Sequence, residues 1–152
     1  MRLLPMLLSL VFPACGGEGI EGLPVPTPMD MARLERPATP NTYLAAPAGF
    51  APAPDRVTAF KAPPDALYAA VKRVAMAQER MFLHAEFADI RQIHFVARSA
   101  MANYPDLIAV QVTPEGGLIL WSRSVYGRKD FGVNEARVIA WLAAIENDIA
   151  AH

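Results

Sequence analysis

Residues 118–137 read Leu118-Ile-Leu-Trp-Ser-Arg-Ser-Val-Tyr-Gly-Arg-Lys-Asp-Phe-Gly-Val-Asn-Glu-Ala-Arg137. The first part alternates like a strand. Leu118, Leu120, Ser122 and Ser124 share one face, and Ile119, Trp121 and Arg123 share the other. A turn rich in Gly, Arg and Asp follows at Gly127 to Gly132. From there Val138, Trp141, Leu142, Ile145 and Ile149 recur at three- and four-residue intervals, the stripe of a helix running from about Gly132 to Ile149. A strand that turns straight into a helix fixes which face of the sheet that helix covers.

Working upstream, Pro114-Glu-Gly-Gly117 is a tight turn that pairs Leu118–Val125 with a strand over Leu107–Thr113. Arg91–Ser99 alternates clearly, and Met81–Glu86 is a shorter strand. Pro63-Pro64-Asp65 opens a helix, with proline tolerated in the first turn and an acid favoured there. Leu67, Val71, Val74 and Ala75 form its apolar face. Arg56–Lys61 reads as a first strand. The order is β-α-β-β-β-β-α over residues 56–152. Strands joined without helices pair antiparallel, and two helices with one apolar stripe each cover one face. The expected fold is α+β, a two-layer sandwich with an antiparallel sheet of about five strands and two helices on one face.

Alternation divides the side chains of that sheet. Ile93, Phe95, Ala97, Ile108, Val110, Val112, Leu118 and Leu120 belong under the helices. His94, Val96, Arg98, Ala109, Gln111, Ile119, Trp121 and Arg123 belong to the far face. Solvated sheet faces are usually polar. A mixture of apolar, aromatic and arginine side chains suits a contact surface, so Arg98, Gln111, Trp121 and Arg123 are the candidate ligand- or partner-binding residues. A proline-rich strap from this same chain is the other occupant that face could have.

The N-terminal third differs in character. Met1-Arg2 followed by the apolar run Leu3–Phe12 fits a secretory signal over residues 1–14 and is too short to cross a bilayer. Cys15, the single cysteine, falls at the expected cleavage point after Ala14. That arrangement resembles a bacterial lipobox, in which this cysteine is lipidated. Ten of the fourteen prolines lie between Gly16 and Pro64. Residues 15–55 therefore read as a tether in extended or polyproline conformation. Its later half carries Tyr43, Leu44 and Phe50, which favours packing on the domain as an ordered strap.

Three segments carry a family resemblance: Pro40-Asn41 with the Ala-Pro-rich stretch after it, Phe95–Ser99 with Tyr104-Pro105-Asp106, and Ser122-Arg123-Ser124-x-Tyr126-Gly127-Arg128-x-Asp130-x-Gly132-x-Asn134-x-x-Arg137. From about Arg36 to Glu146 the chain resembles domain-of-unknown-function family 1499. The resemblance implies a bacterial envelope or secreted protein, sometimes lipid-anchored, with no accepted activity and no cofactor.

The residues themselves restrict the chemistry. A net charge of −1 with 19% charged residues lacks the basic excess of a nucleic-acid binder. A nucleophilic serine needs a base within hydrogen-bond reach, and alternation puts His94 on the face opposite Ser122 and Ser124. His84, His94 and His152 show no paired spacing, so no metal site is expected, and no catalytic residue is assigned. Asp130 reads as the cap of the last helix rather than part of an anion site. Tyr126, Gly127, Asp130, Gly132, Asn134 and Arg137 together read as a structural corner. Arg98 and Arg123 would be neighbours if their strands are close, and such cations need an answering charge. Asp106 and Asp130 are the internal candidates, with Arg137 or Arg98 as partners for Asp130. If neither reaches the arginines, an external acidic ligand or partner must.

The expectation is thus a non-enzymatic accessory or binding protein of the cell envelope. It sits on the periplasmic side, is anchored in the membrane through Cys15, and contacts a protein or lipid partner. A small apolar ligand binder is the alternative, a secreted soluble form the alternative location, and a hydrolase the reading that would need His94 beside Ser122 or Ser124.

Overall fold

The computed structural model of the chain describes residues 16–152. The expected signal segment and Cys15, the expected lipidation position, lie outside them. The elements are β1 (Thr42–Pro47), β2 (Arg56–Thr58), α1 (Pro64–Met76), β3 (Met81–Phe87), β4 (Gln92–Arg98), β5 (Pro105–Val112), β6 (Leu118–Ser124) and α2 (Val133–Ala151). They form one sheet in the order β2-β1-β6-β5-β4-β3. Strands β3 to β6 make an antiparallel meander. The class is α+β, with both helices on one face.

Two features depart from the expected sheet. It has six strands, and the additional one, β1, comes from the segment read as tether. It lies antiparallel to β6, with Leu44 opposite Trp121 and Ala45 opposite Leu120. Leu44, Ala45 and Ala46 are all buried. A strand covered on both faces has no alternation to detect. The second departure is that β1 and β2 run parallel, so the sheet is mixed. The link is bound to β1 by Asp55, whose N–H donates to the Leu44 carbonyl at 2.8 Å and whose carboxylate accepts from the Leu44 N–H at 2.8 Å. Arg36 holds the same carboxylate.

The helix-side core contains all eight residues assigned to it by alternation, together with Ala45, Leu67, Val71, Val138, Trp141 and Ile145. Phe95 meets Trp141 edge to face at 5.8 Å. Side chains of this size stabilise by about 1.5–3 kcal/mol each when fully buried, so this layer is the principal source of stability.

The far face is covered by the chain itself. Met31, Leu34, Leu44, Ala46, Ala109, Ile119 and Trp121 form a second cluster, with Met29 and Phe50 packed against it. Polar bonds fasten this strap to β4. The Met29 N–H donates to Gln92 Oε1 at 2.7 Å, and Gln92 Nε2 donates back to the Met29 carbonyl at 2.8 Å. Arg98 donates to the carbonyls of Gly19 and Glu21, both at 2.9 Å, and Asn103 donates to that of Gly17 at 2.8 Å. Backbone without regular pairing is thus satisfied by side chains, as burial requires.

Candidate functional site

The corner between β6 and α2 is organised by Asn134, which is fully buried. Its Oδ1 accepts from Ser122 Oγ at 2.6 Å and from Arg137 at 2.8 Å. Its Nδ2 donates to the Asn41 carbonyl, Ser124 Oγ and Asp130. Asp130 caps α2 by accepting from the N–H groups of Gly132 and Asn134. Burial pushes the Asp130 carboxyl up, but these donated hydrogen bonds outweigh it and leave the group more acidic than an ordinary aspartate. Gly127 and Gly132 both have φ near +80°, at +87° and +79°, which only glycine adopts without strain. The Gly127 carbonyl accepts from Asn41 Nδ2 at 2.7 Å. Tyr126 lies against Tyr104, their rings 6.2 Å apart. Arg137 pairs with Asp106 at 2.8 Å, both largely buried, rather than with Asp130. These residues fill much of one another's hydrogen-bonding capacity, and the cleft of about 260 Å³ beside them is lined by Asp106 and Asp130, whose carboxylates disfavour an anion at the helix start.

The arginines of the far face take different positions from those expected. β5 separates β4 from β6, so Arg98 and Arg123 are not neighbours. Arg98 is buried and donates to the carbonyls of Gly19, Glu21 and Asn103. Trp121 is buried too, under the strap instead of facing a partner, and its indole N–H has no acceptor among the described residues. Gln111 is half-buried and bonded to Gln92 and to the Ile90 carbonyl. Arg123 alone stays available. Its guanidinium stacks 4.9 Å from the Trp121 ring and has neither hydrogen bond nor ion pair among the described residues. Asp106 and Asp130, the candidate internal acids, are engaged elsewhere. Burial makes Arg123 somewhat less basic than usual.

Arg123 lines a cleft of about 290 Å³ between the strap and the sheet. The strap contributes Pro24, Val25, Pro26, Thr27 and Met29; the sheet contributes Leu107, Ala109, His94 and His84. The sequence treats His84 and His94 as unconnected. The antiparallel β3–β4 hairpin brings them together, through a bulge after Leu83 that sets Ala85 rather than His84 opposite His94. His94 Nε2 lies 3.0 Å from Gln92 Oε1, and the Phe87 ring stands edge-on at 5.4 Å. Burial, then the charges of His84 and Arg123, push the His94 pKa down to about 4. Burial also lowers that of His84, against a hydrogen bond to the Pro24 backbone. Both rings are therefore neutral at pH 7, and no carboxylate among the described residues lines the cleft.

Ser122 and His94 stand on opposite faces, Ser122 bonded into the corner and His94 beside Gln92. The juxtaposition a hydrolase would need is not present. Among the described residues no three His, Cys, Asp or Glu side chains converge, and no helix is long and apolar enough to cross a membrane.

A family model described as "Protein of unknown function (DUF1499)" matches residues 34–145. The chain belongs to the DUF1499 family. No curated protein and no solved structure matches it. The DUF1499 match spans all six strands, α1 and most of α2, and includes Asn41, Arg123 and the whole corner. It begins at Leu34, so the strap residues that roof the cleft precede the DUF1499 region.

Proposed function

We propose that this DUF1499 protein is a non-catalytic accessory module of the bacterial cell envelope, anchored on the periplasmic side through a lipid on Cys15 and in contact with membrane lipid. One observation carries the reading. Gly17, two residues after Cys15, is held by Asn103, so an anchor there would draw the Asn103 end of the sheet to the bilayer. That end presents the most exposed apolar side chains of the described sheet and helix loops, Met101 at 84% and Phe131 at 94%. Arg128 and Lys129, both exposed, precede Phe131. Cations near an anionic surface contribute about 1 kcal/mol each and would reinforce such an anchor.

The test is extraction of the native protein from membranes, followed by the mass of its N-terminal peptide. A diacylglyceryl mass on Cys15, with Cys15→Ser shifting the protein to the soluble fraction, is the expected result. An unmodified Cys15 in a soluble protein overturns the reading.

The strap–sheet cleft favours a second reading, a small-ligand binder. Pockets of this kind are mostly apolar with a few placed polar groups, which describes Leu107, Ala109 and Met29 around Arg123.

A further inference from the structure

We propose that the cleft between the strap and strands β3–β6 binds a small carboxylate-headed amphiphile, with the head on Arg123 and the apolar arm along Leu107, Ala109 and Met29. The proposal rests on the small-ligand reading and adds a charge to it.

Arg123 is the central observation. Comparable arginines in this fold are answered. Arg137 has Asp106, Arg36 has Asp55, and Arg98 has three carbonyls. Arg123 has the face of Trp121 and nothing else among the described residues. A guanidinium does not lose its proton in a protein, so burial cannot neutralise it. A half-buried charge without a counter-charge is costly. A carboxylate meets that need, and the planar guanidinium fork matches its two oxygens.

The rest of the lining selects the ligand further. His84 and His94 are uncharged at neutral pH, which leaves one permanent cation and so calls for one negative charge. A phosphate dianion would leave a charge unanswered. The roof carries Pro24 and Pro26, which have no N–H to donate. Thr27 is the one polar side chain of the roof and none there is charged, so recognition of a charge must come from the sheet. A volume of about 290 Å³ lies at the small end of ligand pockets, which run to roughly 1,000 Å³. It suits one head and one short chain.

The cleft also predicts proton linkage. His94 faces His84 from β3, Arg123 from β6, Gln92 on its own strand and the Phe87 ring. A bound carboxylate adds an attraction where only like charges now act. With the His94 pKa at about 4 in the empty cleft, binding takes up protons only as pH falls well below 6.5, toward that value.

The experiment titrates the full chain with sodium octanoate, 1-octanol and octyl phosphate by calorimetry. Octanoate should bind one to one, at least tenfold tighter than octanol and tighter than octyl phosphate. Arg123→Gln should weaken octanoate at least tenfold and leave octanol unchanged. Val25→Glu places an acid at an exposed cleft position, where it does not disturb the core, and should act the same way even if Arg123→Gln fails to fold. Equal octanoate and octanol affinities overturn the charge while leaving the small-ligand reading in place. Absence of binding by either overturns both. Tighter binding of octyl phosphate overturns the single-charge argument, and unchanged octanoate affinity in either folded variant overturns the site.

Discussion

Asn134 Nδ2 donates to the Asn41 carbonyl at 3.0 Å, across 93 positions of sequence. The bond joins the first turn of α2 to the residue before β1, and Asn41 in turn holds the Gly127 carbonyl. Asn134→Ala removes a group that satisfies Ser122, Ser124, Asp130, Arg137 and Asn41 together. Each buried partner left unsatisfied costs about 1–3 kcal/mol. Urea unfolding should show a loss of about 3 kcal/mol or more. Glu135→Ala, on the exposed side of the same turn, should cost less than about 0.5 kcal/mol.

Gln92 is the clasp of the strap. Gln92→Leu breaks both bonds to Met29 while keeping an apolar side chain of similar size. Limited proteolysis should then cut within residues 23–34 many times faster than in the wild type. Global unfolding should cost about 1–3 kcal/mol. Proteolysis at an unchanged rate would show that the apolar contacts of Met31 and Leu34 hold the strap alone.

Acid should weaken the fold through His94. Its folded pKa, about 4, lies below the ordinary 6.5. The unfolded chain therefore takes up the proton first as pH falls. Stability is full above about pH 7, declines from about 6.5 to 4, and changes no further below that through this group. A shift of this size corresponds to roughly 3 kcal/mol. Urea midpoints at pH 7.5 and 5 should differ in the wild type and differ less in His94→Gln.

Phe131 adopts φ +53° with its ring in solvent. The left-handed region costs a side chain of this kind about 1–2 kcal/mol. Phe131→Gly should raise stability by about 1 kcal/mol in thermal unfolding and lower the fraction of protein that floats with anionic vesicles. Stabilisation without a change in flotation would separate the loop from the membrane surface.

Legibility in the sequence followed exposure to water. Strands β4, β5 and β6 alternate, so Ile93, Phe95 and Ala97 could be assigned to the helix side and His94, Val96 and Arg98 to the other. The corner was legible because Gly127, Asp130 and Gly132 have conformational or capping roles at fixed spacing. β1 was not, because Leu44, Ala45 and Ala46 are covered on both faces and lie among prolines. Trp121 and Arg98 looked like surface residues because nothing in their own strands shows that residues 17–34 lie over them. The site therefore became visible only as a remainder. Arg123 is the far-face cation that the strap does not satisfy, and His84 joins it through a bulge that a single sequence does not announce.

That bulge has the logic of a frameshift. A strand is read in twos, and one inserted residue changes the side of everything after it. Had Leu83 been followed by the regular register, Glu86 would face the cleft and Phe87 the helices. With the extra residue, Glu86 reaches Tyr68 and Lys72 of α1, and Phe87 turns to His94. Deleting the extra residue would make the pairing regular and still leave Glu86 opposite Ile93, under the helices; the bulge is what lets a strand one residue longer than its partner keep that carboxylate off the face that carries Arg123.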